Sequence, residues 1–191
     1  WIFQELGTVR IIMVLRNPAQ RAYSLYAWMV MEGYEGIGDF ELALAEEAAR
    51  FQSEDFYWHN PEFSWDYMYF RSGLYFEQVK RYLDIFGKQN VKIYLFEDLI
   101  DNPLHVFKDL CGFLKVSTEF TPTFSHENRS RLPRSVSLQY FLRVLCRKSA
   151  GKAPARLQPF LDRARESIIQ LNKRIGRAPF LSSRIEDDLR L

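Results

Sequence analysis

Three histidines and two cysteines are all that the 191 residues provide of the side chains favoured by zinc and by redox chemistry. The two cysteines, Cys111 and Cys146, sit in apolar runs without metal-ligand spacing or a pairing pattern. They are expected as buried thiols of a reducing compartment, with no disulfide. There is no Cys-x-x-Cys pair, no His-Glu-x-x-His run and no Ser-His-Asp order, so zinc and serine-hydrolase readings have no basis. Long apolar runs are missing too. Ile11 to Leu15 and Ala22 to Met31 are too short or too interrupted by polar residues to span a bilayer, and no stable membrane insertion is expected of this segment. No charged-then-apolar leader is present. With the cysteine pattern, this points to a cytoplasmic location. Because the chain opens at Trp1 rather than Met, almost on a core strand, the natural protein is expected to start earlier, and what that stretch carries, signal or anchor, is open.

One more absence is local. From Arg129 to Arg156 there is no Asp or Glu, while eight basic residues occur: Arg129, Arg131, Arg134, Arg143, Arg147, Lys148, Lys152 and Arg156. A local positive field follows, although the whole chain carries only +2. Against these gaps stands a 47% apolar content with 16% aromatics, enough for a sizeable core in a chain of this length. One domain over residues 1–191, with a helical C-terminal subregion and no internal repeat, is the economical expectation.

Val9 to Leu15 is a β-branched run that predicts a strand buried on both faces of a parallel sheet. Asn17-Pro18 joins a capping residue to proline at a first helical position, so a helix is predicted from there, its apolar stripe formed by Ala22, Leu25, Tyr26 and Met29. Gly33, Gly36 and Gly38 are read as its flexible end. Asp39 predicts the cap of a helix with Phe40, Leu44 and Ala48, followed by a surface loop from Phe51 to Tyr69. Tyr75 to Phe86 reads as a helix closed by Gly87, Val91 to Phe96 as a second strand, and Asn102-Pro103 as the start of a helix to about Leu114. Helices are predicted again near Ser135 to Arg147 and Gln158 to Ile175, with a hinge from Ser149 to Pro154. Strand, helix, strand, helix predicts an α/β fold with parallel pairing.

The sharpest constellation is Arg16-Asn17-Pro18-Ala19-Gln20-Arg21-Ala22-Tyr23-Ser24. It places a guanidinium at a strand's carboxyl end beside an open helix N-terminus, and both features attract anions. Arg16 can meet a phosphate with two N–H donors, and Ser24 can add a hydroxyl. An ordinary ion pair for Arg16 with a merely tolerated Ser24 fits the spacing equally well.

The run Arg-Asn-Pro-x-x-Arg-x-x-Ser after an apolar strand resembles the 3′-phosphate motif of sulfotransferases that use 3′-phosphoadenosine 5′-phosphosulfate (PAPS), especially the group with bacterial and heparan sulfate enzymes. Arg71-Ser72-Gly73-Leu74-Tyr75 with the helix after it, and Phe96-Glu97-Asp98-Leu99, are similar to later segments of that family, and the likeness runs from about Val9 to Leu142. It implies a P-loop-NTPase-like sheet flanked by helices. It also implies that Arg16 and Ser24 bind the 3′-phosphate of PAPS or adenosine 3′,5′-bisphosphate, and that Arg21 buttresses the loop. Asn128 to Ser135 resembles a loop closing over the cofactor, which makes Arg134, and less directly Arg129 or Arg131, contacts for phosphate or substrate.

The family's Lys-x-Gly-Thr-like phosphosulfate loop and first strand have no counterpart here. The main catalytic base is expected to be missing with them, the chain is expected to be incomplete at its C-terminus as well, and activity is not expected of the fragment alone. Among the residues present, His59 in the Phe51 to Tyr69 stretch is the candidate substrate-side base, against the plainer reading of an exposed loop histidine. Tyr67, Tyr69 and Tyr75 are candidates for an acceptor pocket, although such residues more often pack a core.

In-line sulfuryl transfer to a hydroxyl or amine of a glycan or small molecule would need no metal and no nucleic acid. The rival readings are a nucleotide kinase-like phosphotransferase and a basic module for nucleic acid or membrane surface. No oligomeric state follows from the sequence.

Overall fold

The β-branched run does form a strand, β1 (Ile11–Leu15), and it pairs in parallel with β2 (Val91–Leu95) in an unbroken register from Ile11 opposite Val91 to Leu15 opposite Leu95. This comes from a computed structural model that describes residues 2–124, 131–149, 163 and 167–175. Among the described residues the elements are mostly helical. The chain forms two compact units, each from two segments: residues 1–18 with 74–127, and residues 19–73 with 128–191.

The first unit holds the parallel pair together with α1 (Ile2–Leu6), α6 (Phe76–Phe86), α7 (Phe96–Asp101) and α8 (Pro103–Leu114). The predicted α6 ends at Gly87, whose φ of +79° is open to glycine at no steric cost. Phe86 is buried there, meeting Phe3 edge-on at 5.7 Å and Tyr82 in a stack at 5.9 Å. Pro103 takes the first position of α8 as the Asn102-Pro103 pair predicts, but the Asn102 side chain makes no capping bond. Burial of β1 on both faces is not what the structure has. Ile12 is 40% and Val14 50% exposed. A β-branched run specifies an extended backbone, whereas two-sided burial needs a layer on each face, and this sheet has only two strands among the described residues.

Tyr94 on β2 and Lys92 beside it both reach α8. The Tyr94 hydroxyl and the Lys92 ammonium each donate to Asp109 Oδ2 at 2.7 Å. The Lys92 bond first, and then the Tyr94 bond, hold the Asp109 carboxyl below the usual carboxylate range. A depressed folded value means that the contribution is in place above the unfolded value near ~4 and is lost as pH falls through the depressed one. Asp109→Asn is expected to match the parent in acid and to be slightly less stable at neutral pH, so that the acid limb below about pH 4 flattens by the same amount, a small one because the pair is solvent-screened. Urea midpoints from pH 2 to 7 check this, and an acid limb identical in both proteins would refute it.

The second unit is built on α2 (Pro18–Met31), of which residues from Ala19 onward belong to it. Ala22, Tyr26, Met29 and Val30 of α2 join Phe40, Ala43, Tyr67, Met68 and Tyr69 in one buried cluster. The Asp39 cap forms as predicted, its carboxylate accepting from Leu42 N–H at 2.9 Å, but the helix breaks at Glu46 into α3 (Phe40–Ala45) and α4 (Glu47–Gln52). The predicted loop from Phe51 to Tyr69 is largely helical instead. It contains α5 (Glu54–His59) and a 3-10 turn, Ser64–Tyr67, before a second turn at Arg71–Gly73. Ser53 starts α5 by accepting from Phe56 N–H at 3.0 Å, and Glu54 and Asp55 favour its N-terminal dipole.

The glycine stretch after α2 is not a flexible end but the seat of α9 (Val136–Ser149). A Cβ on Gly33 would stand 2.8 Å from the Gln139 carbonyl oxygen, and one on Gly36 would stand 3.2 Å from the Tyr140 ring. Gln139 Nε2 donates to the Met31 carbonyl at 2.8 Å, and the Arg143 guanidinium lies 3.8 Å over the Tyr34 ring. Gly33 also has φ +75°. Gly33→Ala combines left-handed strain with a backbone clash, so a loss of more than about 1 kcal/mol is expected in the denaturant midpoint.

Residues 167–172 are helical, but the helix predicted to reach Ile175 stops there. β4 (Lys173–Ile175) pairs antiparallel with β3 (Arg131–Pro133), a segment that the sequence presented as loop. Buried Asn172 fixes this end by donating to Ser135 O at 2.9 Å and accepting from Ser135 N–H at 3.0 Å. Residues 158–162, which open the second predicted helix, and 150–154 of the predicted hinge lie outside the described residues. Cys111 is buried as a free thiol.

Candidate functional site

The parallel register has an offset of 80 residues, and it carries past the strand ends. Arg16 follows β1 as Phe96 follows β2, and the Arg16 guanidinium lies 5.0 Å over the Phe96 ring. One step further, the Asn17 backbone N–H donates to Glu97 Oε1 at 3.2 Å. The turn between β1 and α2 is thereby held by the first turn of α7, within the first unit.

Arg16 Nε is buried and has no hydrogen-bond partner, and no described carboxylate lies within ion-pair distance of its guanidinium. Glu97 is occupied with the Asn17 amide. The ordinary ion pair that would have explained Arg16 is thus not formed among the described residues. A buried charged donor without an acceptor is unfavourable by about 1–3 kcal/mol or more, so an anion that accepts from this guanidinium would be stabilised. The guanidinium sits where β1 hands over to a 14-residue helix that carries Pro18 in its first turn.

The other candidates occupy separate elements. Ser24 is exposed on α2. Arg21, three residues earlier, donates from Nη1 to Ser72 Oγ at 2.6 Å and so ties α2 to the Arg71–Gly73 turn. Arg134 is exposed, and its backbone N–H donates to the Asn172 carbonyl. Of Arg131 the backbone lies in β3, and Arg129 lies outside the described residues. His59 is not in a loop over a cleft. It ends α5, with 62% of its side chain exposed, Nδ1 2.9 Å from the Asp55 carbonyl and 3.3 Å from the Asp55 carboxylate. No hydrogen bond or ion pair joins Ser24, His59 and Arg134 among the described residues.

Tyr67 and Tyr69 are core residues rather than pocket walls. Tyr67 donates to the Tyr34 carbonyl at 2.7 Å, and fully buried Tyr69 donates to Glu35 Oε2 at 2.8 Å. Burial, and after it the Glu35 charge, pushes the Tyr69 phenol far above its usual range, so it serves as a donor and not as a base. Tyr75 is half-buried just ahead of α6. Among the described residues no group of three His, Cys, Asp or Glu side chains is arranged for a metal, and no helix is long and apolar enough to cross a membrane.

The Arg16–Phe96 stack and the Asn17–Glu97 bond escaped the sequence reading. The signal that could have found them is the pairing itself. Once Val9 to Leu15 and Val91 to Phe96 are aligned as parallel neighbours, the residues just beyond their carboxyl ends must meet.

A parallel strand pair flanked by helices, with a buried, unpartnered Arg16 Nε at its carboxyl end, defines a mixed α/β protein. Residues 5–142 match the model of the sulfotransferase domain, and the chain belongs to that family. In structure it is similar to the crystal structure of the sulfotransferase from Alicyclobacillus acidocaldarius, with a TM-score of 0.56 and 39% sequence identity over 66% of this chain. That match covers 48% of the Alicyclobacillus chain, so the present chain spans about half of its length. No curated protein is a significant match to the sequence.

Proposed function

We propose that the chain forms the 3′-phosphate side of a PAPS-dependent sulfotransferase site, in a P-loop-NTPase-like arrangement. The observation that carries this is the buried, unpartnered Arg16 Nε at the end of β1. It supplies the charge, the donor and the place that a 3′-phosphate requires. The donor, when bound, supplies the sulfuryl group that a hydroxyl or amine of a glycan or small-molecule acceptor takes in line.

The roles of this chain's residues are to bind and to orient. Arg16 neutralises the 3′-phosphate, and Phe96 backs its guanidinium plane so that its donors are held in one orientation. Glu97 fixes the turn through the Asn17 amide. The family-like spacing of Ser24 from Arg16 is what assigns Ser24 a phosphate contact, and Arg21 keeps α2 anchored on Ser72. Arg134, with Arg129 outside the described residues, contributes positive charge from the segment before α9. The 5′ side of the nucleotide and the base that deprotonates the acceptor are assigned to no residue here, and exposed His59 with its helix-bound Nδ1 has little to recommend it as that base.

Calorimetric titration of the chain with adenosine 3′,5′-bisphosphate against 5′-AMP, in moderate salt, tests the reading. Selective binding of the bisphosphate is the expected result. Equal binding of both nucleotides would point instead to a kinase-like site. Binding that collapses with salt and ignores nucleotide identity would point to a general polyanion surface.

A further inference from the structure

Within the second unit, Glu54, Tyr57, Trp58 and Pro61 line a cleft of about 590 Å³, a size in the range of small-molecule sites. The spacing explains it. Positions 54, 57 and 58 fall on one side of α5, and Pro61 lies just past its end. His59 and its partner Asp55 do not line the cleft.

Trp58 is 82% exposed, so most of its ring surface is open to a guest. The stretch that carries it is acidic. From Phe51 to Phe70 there are four carboxylates, Glu54, Asp55, Glu62 and Asp66, and no Lys or Arg. The ring faces of Tyr57 and Trp58 carry the negative part of their quadrupoles, and the Glu54 carboxylate adds a full charge to the same wall. An anion entering here meets the Glu54 carboxylate and the negative ring faces. A neutral apolar guest would strip water from the carboxylate without compensating it. An alkylated ammonium suits both surfaces, placing its methyl groups on the rings and its charge beside the carboxylate.

We propose that the cleft of α5 is a binding site for an organic ammonium group, such as the cationic head of a small molecule. It goes beyond the nucleotide reading and does not depend on it, since Arg16 and the residues around it take no part.

The test is calorimetric titration of the full chain, at fixed ionic strength, with choline and with its uncharged isostere 3,3-dimethyl-1-butanol. Choline is expected to bind saturably and more tightly than the isostere by about 2- to 30-fold, the range that one cation–π contact supplies. Trp58→Ala should abolish that preference, and Glu54→Gln should weaken choline by a similar factor while leaving the isostere unchanged. Both positions are exposed, so the variants are expected to keep the parent's thermal midpoint. Choline and isostere binding alike, choline binding unaffected by Trp58→Ala, or no saturable binding of choline up to tens of millimolar would each overturn the proposal. The outcome is separable from that of the nucleotide titration, which turns on Arg16 and shares no residue with the cleft.

Discussion

Replacing Arg16 by alanine is expected to weaken binding of adenosine 3′,5′-bisphosphate by about 10- to 150-fold, with little change for 5′-AMP. The magnitude follows from the loss of charge-assisted hydrogen bonds, worth about 1.5–3 kcal/mol, at about 1.4 kcal/mol per factor of ten. The direction on stability is opposite to that of an ordinary truncation. The variant removes a buried donor that has no acceptor, so the free protein should lose little stability and could gain some. Arg16→Lys keeps the charge but not the planar fork that stacks on Phe96, so binding should recover only in part. Calorimetry on the three proteins with the two nucleotides reads all of this. An Arg16→Ala protein that binds the bisphosphate as well as the parent would remove the 3′-phosphate site from the chain.

Glu35→Ala is expected to destabilise the second unit by about 3–5 kcal/mol, the largest stability effect foreseen here. Glu35 is 2% exposed and its two oxygens are fully engaged. Oε2 accepts from Arg50 Nη1 at 2.7 Å and from the Tyr69 hydroxyl at 2.8 Å, while Oε1 accepts from Arg50 Nη2 at 3.1 Å and from Ile37 N–H at 3.0 Å. Removing the carboxylate strands the Arg50 guanidinium between Phe56 and Tyr67, 5.8 Å and 4.9 Å from their ring centroids, with no counter-charge. At about 2–4 °C per kcal/mol for a chain of this length, the midpoint should fall by roughly 6–20 °C. The double variant Glu35→Leu with Arg50→Met should be less damaged than Glu35→Ala alone, because it leaves no buried charge unpaired. If thermal melts show the double variant to be the worse of the two, stability resides in the ion pair itself and the desolvation argument fails.

Both effects depend on residues whose importance the sequence hides to different degrees. Arg16 is legible because its neighbours are local: a strand before it, Asn-Pro after it, and a family-like spacing to Arg21 and Ser24. Glu35 and Glu47 are not. In sequence each reads as a surface carboxylate beside glycine or alanine. Glu47 becomes buried only because the Arg71–Gly73 turn brings the Phe70 and Arg71 amides to its oxygens, at 2.7 and 3.0 Å. Those amides lie more than twenty residues away, and no periodicity reports them. The stretch between them misled for a related reason. Polar and aromatic residues from Phe51 to Tyr69 read as loop, yet the Ser53 cap and two acidic residues behind it were a start signal for α5 that composition masked.

By itself, the sequence determined the elements whose causes are local. These are β1 and β2 from β-branched runs, α2 and α8 from proline at a first turn, the Asp39 cap, and the end of α6 at Gly87, together with the motif that marks the family. Only the tertiary structure decided which charges are buried and satisfied, that the glycines after α2 receive α9, that β1 lies open at Ile12 and Val14, and that Phe96 and Glu97 complete the Arg16 turn. The division has one physical reason. Capping, proline geometry and strand propensity act over a few residues, whereas burial, stacking and ion pairing are fixed by partners that folding brings from tens of residues away.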